Sequence, residues 1–150
     1  MPLSYEECLR HGLLRRIPAS KDKAAQSLQK AQRWLAEAKQ TLKSEASGAS
    51  VLAAYLAMFH AARALLFQDG FREKSHACVA RYLDRYVTQG LLEQQWVDLL
   101  DHSRETRHND QYDLSFISSP EDAHQAVQSA ATFLKRLQEL LNVIYKAPEA

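Results

Sequence analysis

Apolar residues recur three and four apart through most of this chain, and the stretches where they do so are the predicted helices. Ala24, Leu28, Ala31, Leu35, Ala38 and Leu42 form a heptad-like seam after Ser20, which is placed to cap a helix reaching about Ser44. That seam is too short and too alanine-rich for a free coiled coil, so it is expected inside a bundle. The small residues at 44–50, with Gly48, then predict a tight turn between antiparallel neighbours. Residues 51–67 are apolar nearly all round and include six alanines, which places that helix at the centre with its neighbours close. Asp69-Gly70 ends it, Ser75 starts a helix over 76–88, and Gln89-Gly90 breaks the chain before another helix over about 91–110. Ser119-Pro120-Glu121-Asp122 combines a capping serine, proline at the first helical position and acids in the first turn. The last helix follows, with Ala123, Val127, Ala130, Phe133 or Leu134, Leu137, Leu141 and Ile144 as its inner stripe.

At the other end, a short helix is expected after Ser4 to about Leu14, followed by a solvated loop over 15–20 that brings Arg15, Arg16 and Lys21 together. The four glycines and four prolines, Pro2 and Pro148 among them, all fall where a helical reading wants a break or an end. No segment keeps a sustained period of two. The prediction is an all-α protein: one domain over 1–150, an up-and-down bundle of four to five main helices with a short helix in front. There is no internal repeat.

Composition changes this picture little. Charged residues make up 25% and the formal net charge is +1, so no global cationic field draws the chain to nucleic acid, and any RNA contact must be local. Cys8 and Cys78 are far apart, without a CxxC or metal-type spacing, and two buried or idle thiols are expected rather than a disulfide framework or zinc site. The longest apolar run, 51–59, is nine residues, short of the roughly 20 of a membrane helix. Glu6 and Glu7 stand where a signal peptide would carry positive charge. A cytoplasmic protein is expected, with no membrane contact.

Candidate chemistry concentrates in 96–113. Trp96, Leu99, Leu100, Ser103 and Arg107 share one helical stripe, so Arg107 continues an apolar face towards the interior. A second stripe carries Asp101, Arg104, His108 and Tyr112. Guanidinium, imidazole and phenol on one edge can hold a phosphate, move a proton, or merely fix a helix end. His60 and Arg63 interrupt the central helix one turn apart, as a buried ion pair, a snorkelling cation or the lining of a pocket. His76 could join them or simply begin its helix. Asp98 and Asp101 lack the histidines of a di-metal site, so neither metal nor cofactor is expected.

Several segments together resemble the HEPN family, the higher eukaryote and prokaryote nucleotide-binding domain. They are residues 54–67, Lys74-Ser75-His76, the stretch 86–92, and Arg104-Glu-Thr-Arg107-His108 with Tyr112-Asp113. The resemblance implies a helical bundle that forms a two-fold homodimer with a cleft at its interface. Many members are metal-independent ribonucleases with an arginine, four to six residues, then a histidine, and many are toxins paired with a minimal nucleotidyltransferase antitoxin. In such toxins a tyrosine just past the histidine can be nucleotidylated by the partner, a role the resemblance gives to Tyr112; the alternative is an amphipathic anchor whose ring packs on the bundle while its hydroxyl reaches Arg104. Here only three residues separate Arg104 from His108, and Asp110 stands two before Tyr112, where the toxin motif has its histidine. Two functions follow. In one the chain is the toxin or effector of a prokaryotic toxin-antitoxin pair, cutting RNA with Arg104 and Arg107 on the phosphate and His108 moving the proton. In the other it is a non-catalytic nucleotide-binding or interaction module serving a nucleotidyltransferase.

Overall fold

A computed structural model of the protein describes residues 3–146, so Pro2 and Pro148 lie outside the described residues. Six helices follow in order: α1 (Tyr5–Arg10), α2 (Lys21–Lys43), α3 (Ser47–Asp69), α4 (His76–Thr88), α5 (Gln94–Tyr112) and α6 (Pro120–Lys146). Two short strands, β1 (Leu14–Arg16) and β2 (Phe71–Glu73), pair antiparallel with Leu14 opposite Glu73 and Arg16 opposite Phe71. The bundle is all-α as expected; the ribbon was not, because three residues a side are too few to show a period of two. It forms because Leu14 and Phe71 bury one face while Arg15 and Arg16 stay in water.

α3 is the axis of the bundle. Its alanines 53, 54, 57, 61, 62 and 64 are all buried, which lets α2 and α6 approach closely, and α2 turns Ala24, Ala31 and Ala38 of its seam inward. By length and composition α3 could cross a membrane, yet most of it is buried inside the bundle. It ends at Gly70 in the left-handed conformation, φ +86°. A side chain there would bring its Cβ 2.7 Å from the carbonyl oxygen of Ile17, so only glycine allows this close passage of the 17–20 segment. Ser20 caps α2 as predicted, accepting from the Lys23 amide, and Ser119 with Asp122 forms a reciprocal capping box at the start of α6.

The cysteines overturn one expectation. Cys8 of α1 and Cys78 of α4, both fully buried, form a disulfide with their Cα atoms 5.9 Å apart. The spacing carried no such signal, because 70 residues separate them in sequence and only the packing of α1 on α4 brings them together.

Candidate functional site

α5 presents two faces. On the inner one Arg107 is half-buried and lays its guanidinium over the Tyr55 ring of α3, 4.9 Å from the centroid, as the apolar stripe predicted. Its Nη1 donates to Gln111 Oε1 at 2.9 Å, while its Nε is buried with no acceptor. A guanidinium without a carboxylate, and with a donor left over, is an unfilled half of an interaction.

Tyr55 connects this arginine to α4. Its hydroxyl is hydrogen-bonded to His76 Nδ1 at 2.9 Å, and burial raises its pKa to about 12 against the pull of Arg107 and Arg104. His76 lies at the surface but stacks one face on Phe59, centroids 4.0 Å apart, and Phe59 in turn meets His60 at 5.4 Å. Burial first, then Arg107, Arg63 and Arg104, pushes the His76 pKa down. Burial again, then Arg63, Lys30 and His76, takes His60 down to about 4. Both imidazoles are therefore neutral at pH 7, flanked by cations.

Arg63 combines two of the alternatives left open for it: it is a partly buried cation paired with Glu73 of β2 and stacked over Phe67 and Phe59 at 4.9 and 5.6 Å, and it also lines a groove between α2 and α3. The ion pair is close but poorly aligned, leaving Arg63 Nε and Glu73 Oε2 without a hydrogen bond. Burial raises the Glu73 pKa despite the opposing pull of Arg63.

The outer edge is divided into two pairs. Asp101 takes Arg104 Nη1 on Oδ1 at 2.8 Å and Arg81 Nη2 on Oδ2 at 2.6 Å, and Arg81 reaches on to Asp84. Arg104 is thereby neutralised within α4 and α5. One turn later His108 packs its ring on Tyr112, centroids 4.9 Å apart, and both are exposed. Asp110 points elsewhere: it accepts the Ser118 hydroxyl at 2.6 Å and lies against Gly48, where a Cβ would come 3.0 Å from its Oδ2. A carboxylate there suits the first turn of α3, whose N-terminal amides favour negative charge, and pins the loop before α6.

The structure thus gathers Arg107, Arg63, His76 and His60 about Tyr55 and Phe59, holds Arg104 beside them in an ion pair, leaves His108 and Tyr112 outside, and commits Asp110 to Ser118 and the first turn of α3. Tyr55, Phe59, Arg81 and Glu73 were not picked out from the sequence. Only Tyr55 carried a usable signal, a hydroxyl within an otherwise apolar run. No group of three or more His, Cys, Asp or Glu among the described residues could hold a metal ion.

The α-helical bundle therefore carries a ring-stacked guanidinium that has no carboxylate partner among the described residues, next to a tyrosine hydrogen-bonded to a neutral imidazole. The HEPN domain family matches residues 24–140, most of the chain. The protein belongs to the HEPN family, a nucleotide-binding or ribonuclease-type module. No curated protein sequence matches the chain.

Proposed function

We propose that the protein binds the phosphate of a nucleotide or of RNA at Arg107 and acts, as a two-fold homodimer, beside a nucleotidyltransferase in a prokaryotic toxin-antitoxin pair. The observation that carries the binding step is Arg107 itself: a half-buried guanidinium with a buried Nε lacking an acceptor and no acid opposite it. A phosphate would supply the missing counter-charge, and His76, fixed by Tyr55, would give a neutral hydrogen-bonding partner. The pairing and the dimer rest on the family resemblance.

A second function, metal-independent cleavage of RNA, is favoured by one feature: Arg104 and His108 lie on consecutive turns of one edge. There His108 would accept the 2′-hydroxyl proton or protonate the leaving oxygen, and Arg104 and Arg107 would hold the phosphate. Binding without cutting ranks first because Arg104 already has Asp101, and because Asp110, at the toxin motif's histidine position, is committed to Ser118 and α3.

The test titrates a nucleoside monophosphate and a labelled oligoribonucleotide into wild type and Arg107→Ala, and incubates the oligoribonucleotide in EDTA with wild type, Arg104→Ala and His108→Ala. Arg107→Ala should weaken both ligands by at least about tenfold, the value of one charge-assisted hydrogen bond. Unchanged affinity would overturn the assignment. Cleavage in EDTA that disappears in folded Arg104→Ala and His108→Ala would put the nuclease function first.

A further inference from the structure

α2 carries six lysines and arginines against two acids, although the chain as a whole has a net charge of only +1. Lys23, Lys30 and Arg33 lie on one face of it, all exposed, with no acidic partner among the described residues. That face is one wall of a groove of about 430 Å³ whose opposite wall, from α3, is His60, Arg63 and Phe67. No aspartate or glutamate lines it; its other polar residues are Gln26, Gln29 and Ser27. The Ser27 hydroxyl donates to the His60 carbonyl oxygen at 2.7 Å, tying the two walls together.

Arg63 is balanced by Glu73, but Lys23, Lys30 and Arg33 have no such acid beside them, and cations clustered without counter-charge repel one another and are worth keeping where a polyanion is to lie among them. Lys23 to Arg33 is ten residues of helix, about 15 Å, long enough for more than one phosphate. Phe67, under the Arg63 guanidinium at one end, adds an aromatic surface of the kind that unpaired bases use. Between the groove and Arg107 lies a row of packed rings rather than an open path: Phe59 and Tyr55 are buried, Phe59 stacks on His76 at 4.0 Å, His76 meets Tyr55 at 5.9 Å and Arg107 covers Tyr55 at 4.9 Å. His60 feels Lys30 on one side and His76 on the other.

We propose that the groove between α2 and α3 is a separate site for the sugar-phosphate backbone of single-stranded RNA, with Lys23, Lys30 and Arg33 holding its phosphates. The groove's binding is independent of the Arg107 site proposed above.

The experiment measures anisotropy of a labelled single-stranded oligoribonucleotide over a salt series, with wild type, the triple variant Lys23→Gln/Lys30→Gln/Arg33→Gln, and Arg107→Ala. Glutamine keeps all three exposed positions helical. The triple variant should bind more weakly and lose about 2 from the slope of log affinity against log salt, three cations at about 0.7 each, while its affinity for a nucleoside monophosphate stays at the wild-type value. An unchanged slope, or equal binding of an RNA duplex by wild type, overturns the groove assignment. If only Arg107→Ala loses the oligoribonucleotide, the phosphate site stands and the groove falls. Should only the triple variant lose it, the groove stands and the Arg107 site falls; absence of wild-type binding removes both.

Discussion

Asp101→Asn separates what Arg104 does for the fold from what it could do for a ligand. Each Asp101 oxygen takes one guanidinium, Arg81 at 2.6 Å and Arg104 at 2.8 Å, and the three side chains are only 16–23% exposed. The amide has the same shape, but it is neutral and accepts through one oxygen only, so one charge-assisted bond is lost and the other weakened. Such bonds are worth about 1.5–3 kcal/mol, and because Arg81 keeps Asp84 at 2.9 Å, a net loss of about 2 kcal/mol is expected. At about 2–4 °C per kcal/mol for a chain of this size, Tm should fall by about 4–8 °C. Arg104 is freed by the same change and turns to the phosphate that Arg107 receives. A partly exposed pair adds about 1 kcal/mol, so nucleoside monophosphate affinity should rise about fivefold. Thermal melts followed by circular dichroism, beside calorimetric titration at fixed salt, read both quantities on one sample. Lower stability with unchanged or weaker affinity would refute a ligand role for Arg104. An unchanged Tm would show that the ion-pair network contributes nothing to the fold.

Reduction of the Cys8–Cys78 bond should cost about 4 kcal/mol, the loop-closure entropy of a 70-residue separation, measured as a shift in urea midpoint with and without reductant. An equal midpoint would mean that the unfolded chain is not constrained by the bridge. His60 should make stability depend on pH. Its folded pKa of about 4 lies below the roughly 6.5 of the unfolded chain, so its contribution is full above about pH 6.5 and is lost as pH falls towards 4. His76 acts in the same direction. The fall in Tm between pH 7 and about pH 5 should therefore be smaller in His60→Gln than in wild type; the same fall in both would place the titration at another group.

The helices could be read from the sequence because each has its own local period and its own stops, and one turn of error at an end, as at 91 against Gln94, leaves the packing unaltered. Arg107 was legible for the same reason, as the continuation of an apolar stripe. What escaped was pairing between distant segments. Leu14 meets Glu73, Cys8 meets Cys78 and Tyr55 meets His76 only after α1, α3 and α4 have assembled. The edge of α5 shows the same difference in miniature. Helical spacing placed Asp101, Arg104, His108 and Tyr112 on one line, but Arg81, which takes the second oxygen of Asp101 and so closes the network around Arg104, comes from α4 and depends on distance in space.

The family's span begins at residue 24, so α1 and β1 fall outside it. In this protein that leading segment is fastened twice, by a covalent bond to α4 and by a strand ladder to β2, and its Leu14 is 2% exposed. The matched stretch and the unit of folding are therefore different lengths of chain. A fragment trimmed to 24–140 would open the edge of β2 and bare Phe71 and Tyr82, turning a protected corner into a sticky one, and domain boundaries for expression or fusion belong upstream of Ser4.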